Sequence, residues 1–357
     1  MKTYARYLAR EIVTASLLVL FGFLALFVFF DFVAELQDLG KGGYRIQHAM
    51  VFVLLTLPGR VYELMPIGVL IGALYALTNL SRNSEITVLR TSGLSTGRLL
   101  LSLVQIGLAF VVLTFLIGEY VAPYSEKAGR QFRLNATSAV VGQDFRSGLW
   151  IKDENTFVNV RAVMPDARLQ GIRIYDFDRD YKLRSISDAA EGVYLPPNRW
   201  RLTGVVRTVF ESQAARVERL PETEWSSALN PDILAVLLVN PERMAIPHLV
   251  QYIQHLAENK QRTERYEIAL WKKVVYPLAT LVMLALALPF ALRMHRFGGV
   301  SVRIFAGVMI GVLFHLLNGL FSSLGIINSW PPAVAAFAPS LIFLAAAAGM
   351  LWWVERR

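Results

Sequence analysis

The chain contains no cysteine. That removes disulfides, thiol nucleophiles and cysteine-based zinc sites together. Charge is scarce too: 18% of residues are charged against 55% hydrophobic, the balance of an integral membrane protein rather than a soluble domain. No phosphate-binding loop of the form G-x-x-x-x-G-K-[ST] occurs; the nearest stretch, Gly93-Leu94-Ser95-Thr96-Gly97-Arg98, has the wrong spacing and lacks the lysine that meets the phosphates. There is no G-x-S-x-G elbow, and the five histidines form no H-x-x-x-H pair. His248 and His255 share a helical face but lie too far apart for one metal. The net charge of +9 is not gathered into a Lys/Arg block with interleaved aromatics, which argues against nucleic acid. No catalytic site, cofactor or metal is expected, and anything this chain moves uphill must draw its energy from elsewhere.

What the chain does have is long apolar runs. Crossing a bilayer takes about 20 apolar residues in a helix. Runs at residues 12–32, 64–80, 99–120, 274–292, 304–327 and 333–354 meet that need. Lys2, Arg6 and Arg10 precede the first run as in a signal peptide, but it is too long for an h-region and no small-residue cleavage site follows, so it reads as a retained span. Between the third and fourth spans the pattern changes to short alternating segments such as Thr156-Phe157-Val158-Asn159-Val160 and Gly171-Ile172-Arg173-Ile174-Tyr175, separated by turn signals. The expected architecture is six transmembrane helices with an inserted all-β, jelly-roll-like domain. Its parts are residues 1–123 with the first three spans, 124–245 with the β-domain, and 246–357 with an amphipathic helix and the last three spans. One side of the membrane carries Lys2, Arg6, Arg10, Arg82, Arg90, Arg98, Arg293, Arg296, Arg303, Arg356 and Arg357 near span ends, whereas the other carries Lys41 and Arg45. Positive residues stay inside. Both termini are therefore expected in the cytoplasm and the β-domain in the periplasm or exterior.

Three groups of residues stand out. The first is the cytoplasmic stretch 81–93, which needs only to turn but reads as a short helix. Asn83 or Ser84 stands at its start, Glu85 falls in its first turn and Gly93 stands at its end. Ile86, Leu89 and Gly93 lie roughly on one side, so the helix would lie flat and present a surface; a solvated turn is the plainer alternative. The second is a set of outer cations. Lys127, Arg130 and Arg133 are spaced i, i+3, i+6 after span three, with Arg60 at a similar depth. Guanidinium clusters there suit phosphates of an anionic lipid, and a solvated face balanced by Glu126 competes with that reading. The third is His315 and Asn318, i and i+3 on span five, read as an interhelical hydrogen bond at a packed or subunit interface or as a proton relay. Glu63 and Glu119 lie near the outer ends, where water reaches them, and carry less weight.

Several stretches resemble one family. They are Gly118-Glu119-Tyr120-Val121-Ala122-Pro123 followed by Arg130-x-x-Arg133, the Ser84-Glu85-Ile86-Thr87-Val88 segment, and Leu149-Trp150-Ile151-Lys152-Asp153. Together with the span order they are similar to the LptF/LptG permease family across the chain, with the first and last stretches nearer its LptG branch. The resemblance implies a half-transporter of the bacterial inner membrane. It would pair with an LptF-like permease, be driven by an LptB-like ATPase dimer, extract lipopolysaccharide and hand it to an LptC-like bridge protein. It also implies that Ser84, Glu85, Ile86, Leu89, Arg90 and Gly93 form the coupling helix, with Glu85 the acidic residue seated in the ATPase groove. Arg130 and Arg133 would face lipid A phosphates, and spans one and five would be lateral gates. One departure is clear. Relatives carry lysines at the outer end of span one, whereas Asp31, Glu35, Gln37 and Asp38 stand here, with Lys41 the only nearby cation. These carboxylates would hold divalent cations bridging to phosphate or pair with bases on the partner. The other function classes are an ion-driven secondary transporter and a membrane anchor displaying a β-domain.

Overall fold

The computed structural model describes residues 3–137, 148–153, 155–164, 168–178, 180–211, 214–227, 240–293 and 300–356. Lys2, His295, Arg296 and Arg357, part of the basic pattern used to orient the chain, lie outside them. Six helices are long and apolar enough to cross a membrane. Helix α1 is Thr3–Glu35 and α2 is Ile46–Arg82. A short helix α3, Glu85–Thr91, precedes α4, Thr96–Leu116. One turn of π-helix, Ile117–Val121, joins α4 to α5, Ala122–Thr137. Beyond the β insertion come α6 (Ile246–Glu258), α7 (Glu264–Arg293), α8 (Val300–Ile327) and α9 (Pro332–Glu355).

Helix α2 is the axis of the bundle. Its apolar stretch is 83% buried, against 22% for that of α1 and of α8. It stays helical through Pro58 and Pro66, although each proline withholds one N–H from the backbone ladder. Packing on every side offsets that loss, since Leu64, Val69, Leu70, Leu74 and Leu77 enter one core with Leu103 of α4, Met283 and Leu288 of α7, and Phe314 of α8. Small residues set the closest approach, as expected where lipid removes the hydrophobic drive between helices. At Gly72 an added Cβ would stand 2.4 Å from the Ser16 Cα of α1. Gly72→Ala should therefore force α1 off α2 and cost about 1–3 kcal/mol, the usual range for overpacking. Thermal unfolding in detergent reads this directly; an unchanged midpoint would mean the two helices are free to separate.

Strands β1 (Leu149–Asp153), β2 (Thr156–Val163), β3 (Leu169–Phe177), β4 (Leu183–Leu195), β5 (Arg199–Phe210) and β6 (Ala215–Ser226) pair antiparallel in sequence order. The all-β insertion is as expected, and among the described residues it is a plain meander. Alternation sends Ile151, Val158, Val160, Ile172, Ile174 and Leu202 to one face, where Tyr252 and Leu256 of α6 close the core. The Trp-x-Lys-Asp strand has a structural task. Asp153 accepts a hydrogen bond from the Ser227 hydroxyl just past β6, so the first and last strands meet at one end. The Lys152 ammonium reaches the Asn259 carbonyl at 3.4 Å, and the Gln261 side chain donates to the Lys152 carbonyl at 3.4 Å, fastening β1 to the turn between α6 and α7. Residues 122–137, assigned from sequence partly to this domain, extend span three as helix. The i, i+3, i+6 cations already carried that period, and strands begin only at Leu149.

Candidate functional sites at the two membrane faces

At the loop between α2 and α4, helix α3 ends as its sequence suggests. Gly93 takes φ of +88°, a conformation glycine adopts without Cβ strain. Its N–H bonds the Arg90 carbonyl at 3.1 Å and the Leu94 N–H bonds the Leu89 carbonyl at 3.1 Å, which completes a Schellman stop. The start differs from expectation. Ser84 occupies the N-cap position with φ of +60° and makes no side-chain cap bond, while the Asn83 amide only approaches Glu85 at 3.5 Å. The presented face differs too. Ile86 does not face outward: it is buried in the transmembrane core, and Leu89 is half-buried beside it. A seven-residue helix seated on the end of α2 must turn its apolar side inward to be held at all. Thr87, Val88, Arg90 and Gly93 remain exposed, with Glu85 at the margin. Val88, 60% exposed, went unnoticed in the sequence, although an apolar residue one position from a buried one on a short helix is a usable signal.

At the opposite end the predicted cations do not stand alone. The Arg60 guanidinium forks onto Asp31, Nε to Oδ2 at 2.9 Å and Nη2 to Oδ1 at 2.7 Å, and Nη1 reaches Glu63 at 3.1 Å. Arg133 lies 3.0 Å from Glu35 through Nε and donates through Nη2 to Asp38. Lys41 pairs with Asp38 at 2.6 Å. The Tyr44 hydroxyl donates to Glu35 at 2.9 Å; burial and that carboxylate push its pKa well up, so it remains a donor. Each arginine also lies over a ring, Arg60 over Phe27 and Arg133 over Phe52, both 5.3 Å from the centroid. The acidic end of span one thus pairs with bases of its own chain, which displaces the reading that it waits for divalent cations or for a partner's bases. The reason is topological: α1 runs alongside α2 and its acidic turn reaches α5, so the opposite charges meet at one height. No metal-ligating group of three or more His, Asp or Glu occurs among the described residues.

Lys127 is exposed and Arg130 half-buried on α5, the latter within electrostatic reach of Glu126, Arg133 and Arg243. Arg243 was missed from sequence. It lies in the short 3-10 turn Pro241–Arg243, where the chain returns from the β-domain. There it bridges Glu63 of α2 at 3.1 Å and Glu126 of α5 at 3.3 Å. Glu119, in the π-turn, accepts from the Ile246 N–H at 2.8 Å and stands 3.7 Å from buried Lys273, whose ammonium also donates to the Met244 carbonyl. Lys272 holds Glu242 at 2.6 Å. Four carboxylates that look minor or unremarkable in the sequence therefore root the β-domain in spans two, three and four. The signal was a charged Asn-Pro-Glu-Arg turn before an amphipathic helix, but its partner Glu63 is 180 residues away.

His315 and Asn318 part company. Asn318 is buried within this chain, and its carbonyl accepts from Ser322 at 2.9 Å; His315 is exposed beside Leu313 and Leu316. Of the expected pair, only His315 lies on a surface open to another subunit, because one turn of α8 rotates Asn318 inward.

The comparisons agree with this architecture. The family description "Lipopolysaccharide export system permease LptF/LptG" matches residues 6–354. Lipopolysaccharide export system permease protein LptG of Haemophilus influenzae is 32% identical over 99% of this chain and 98% of its own length. The LptG of Escherichia coli strain K12 shows the same identity and coverage. Six apolar helices, an inserted antiparallel sheet and a match that runs from end to end place this chain in the LptF/LptG family of lipopolysaccharide export system permeases.

Proposed function

We propose that this permease works as one half of an ATP-driven exporter in the bacterial inner membrane, its termini and α3 in the cytoplasm and its β-domain in the periplasm. An LptF-like subunit completes the cavity, an LptB-like ATPase dimer supplies the energy, and an LptC-like protein receives the lipid. The observation that carries this reading is the seating of α3. Ile86 is anchored in the same core as α2, α4 and α7, so a push on the exposed Val88 and Arg90 reaches the transmembrane helices as a rigid movement. An anchor that only displays a β-domain has no use for such a helix. Spans one and five, the least covered in the chain, are the faces on which the second permease would close.

At the outer rim, Arg60, Lys127, Arg130 and Arg133 form the cationic ring that receives the phosphorylated headgroup. Arginine forks bind phosphate bidentately. Replacing Arg60 and Arg133 together with glutamine should lower lipopolysaccharide photocrosslinking to the assembled transporter by about tenfold, given ~1 kcal/mol for each charge-assisted hydrogen bond removed. Crosslinking equal to wild type would remove the headgroup role from these arginines. The reading as a whole is tested by co-purifying the tagged chain from its own membranes. Recovery with a second permease and a soluble ATPase supports it; recovery alone, without nucleotide-dependent lipid release, overturns it.

A further inference from the structure

The two arginines assigned to phosphate are already occupied, and the manner of occupation bears on what can bind. Asp31 fills the Arg60 fork through both oxygens, at 2.9 and 2.7 Å. Glu35 and Asp38 face Arg133 from one side, Glu35 at 3.0 Å from Nε. A carboxylate and a phosphate use the same donors of a guanidinium, so one excludes the other. Yet neither arginine is sealed: the side chains of Arg60 and Arg133 are 27% and 38% exposed. The carboxylates also have somewhere to go. Asp38 keeps Lys41 at 2.6 Å and Glu35 keeps the Tyr44 hydroxyl at 2.9 Å if Arg133 is taken from them. Displacement therefore leaves neither acid without a partner. Finally, the two guanidinia are separate positions. Arg133 lies over Phe52 of α2 and Arg60 is eight residues further along that helix, a rise of about 12 Å at 1.5 Å per residue.

We propose that Asp31, Glu35 and Asp38 are specificity-determining residues, built-in competitors that admit a lipid bearing two phosphate monoesters and turn away singly charged phospholipids. This rests on the headgroup reading above. The charge balance gives the direction. A phosphodiester brings one negative charge, no more than the carboxylate it must displace from Arg60 and less than the two facing Arg133. A phosphate monoester brings about −1.5 to −2 at neutral pH and three acceptor oxygens, so the exchange gains charge at Arg60 and holds it at Arg133. Two monoesters on one lipid make both exchanges a single binding event, with the second site met at high effective concentration. In a bilayer crowded with monoanionic headgroups, bare arginines would be filled by bulk lipid; arginines covered by their own acids are not.

The experiment uses the whole transporter in nanodiscs. Three probes compete for crosslinking at the rim: bisphosphorylated lipopolysaccharide, its monophosphorylated form, and phosphatidylglycerol. Wild type should prefer the bisphosphorylated lipid. Asp31→Asn with Asp38→Asn should raise phosphatidylglycerol binding about tenfold, the effect of removing two competing ion pairs, and leave bisphosphorylated binding no weaker. Glu35→Gln alone, a milder change that spares the Arg60–Asp31 fork, should raise it about threefold, and decides the matter if the double variant does not assemble. Phosphatidylglycerol binding that stays at the wild-type level overturns the proposal. So does a parallel fall for all three probes, which would make the acids mere supports for the arginines. The Arg60→Gln, Arg133→Gln pair separates the two levels: undiminished binding of bisphosphorylated lipid there sinks the headgroup reading itself. Weakened binding there, with acid variants that leave phosphatidylglycerol unchanged, sinks only the competitor role.

Discussion

Glu85→Lys is expected to reduce ATP-coupled lipid release by at least about 100-fold while the chain still inserts and folds. A like-charge or unpaired-charge juxtaposition at a subunit interface costs several kcal/mol, and 2–5 kcal/mol corresponds to roughly 30- to several thousand-fold. Folding should be spared because Glu85 sits at the margin of α3, whereas the helix is held by its neighbour Ile86 in the core and by the Gly93 stop. Lipid release and ATPase recovery from reconstituted vesicles measure the loss, and a melting curve of the purified variant checks the fold. The companion change is Ile86→Ala. It removes the anchor and keeps the acid, so ATPase should still bind while release falls, the signature of a helix that is engaged but no longer stiffly coupled. Release within twofold of wild type in Glu85→Lys would move the ATPase interface elsewhere on the cytoplasmic face.

Arg243→Ala is expected to destabilise the protein by about 3 kcal/mol, the lower part of the range for removing one member of a buried pair. The cost arises at Glu126, whose side chain is 5% exposed and which would lose a hydrogen-bonding guanidinium, while Glu63 would lose one of its two arginines. Glu126→Gln in the same background should recover part of the loss, because the amide no longer carries an uncompensated charge. Arg243→Lys should sit between the two, since an ammonium reaches one carboxylate but cannot fork across both. Thermal unfolding in a mild detergent resolves these steps. Equal midpoints for all three variants and the parent would mean that the turn is a solvated strap and that the β-domain is rooted by Glu119 and Lys273 instead.

Much of this was legible before any fold was known, and the exceptions share a cause. Six spans follow from apolar length alone, because a bilayer fixes how many residues a helix needs. Strands follow from the two-residue alternation of segments such as Thr156-Phe157-Val158-Asn159-Val160, and Val158 and Val160 are indeed core residues. The short helix after span two was visible from Glu85 and Gly93. Its face was not: with seven residues, one turn of rotation relative to α2 exchanges Ile86 for Val88 as the presented side chain, and no local signal sets that rotation. The same limit applies on α8, where the spacing of His315 and Asn318 was read correctly and their directions were not.

The sequence by itself determined which segments enter the membrane, where the β insertion begins and ends to within a helix extension, and that neither catalytic nor thiol chemistry was to be sought. These are properties of composition and of period, written locally in the chain. Only the tertiary structure decided what each charge does. Asp31 meets Arg60 across 29 residues, Asp38 meets Arg133 across 95, and Glu63 meets Arg243 across 180. Ion pairing depends on distance in space and falls away within a few ångströms of water. A row of carboxylates beside a row of arginines therefore acquires its meaning only when helices α1, α2 and α5 bring them to one height.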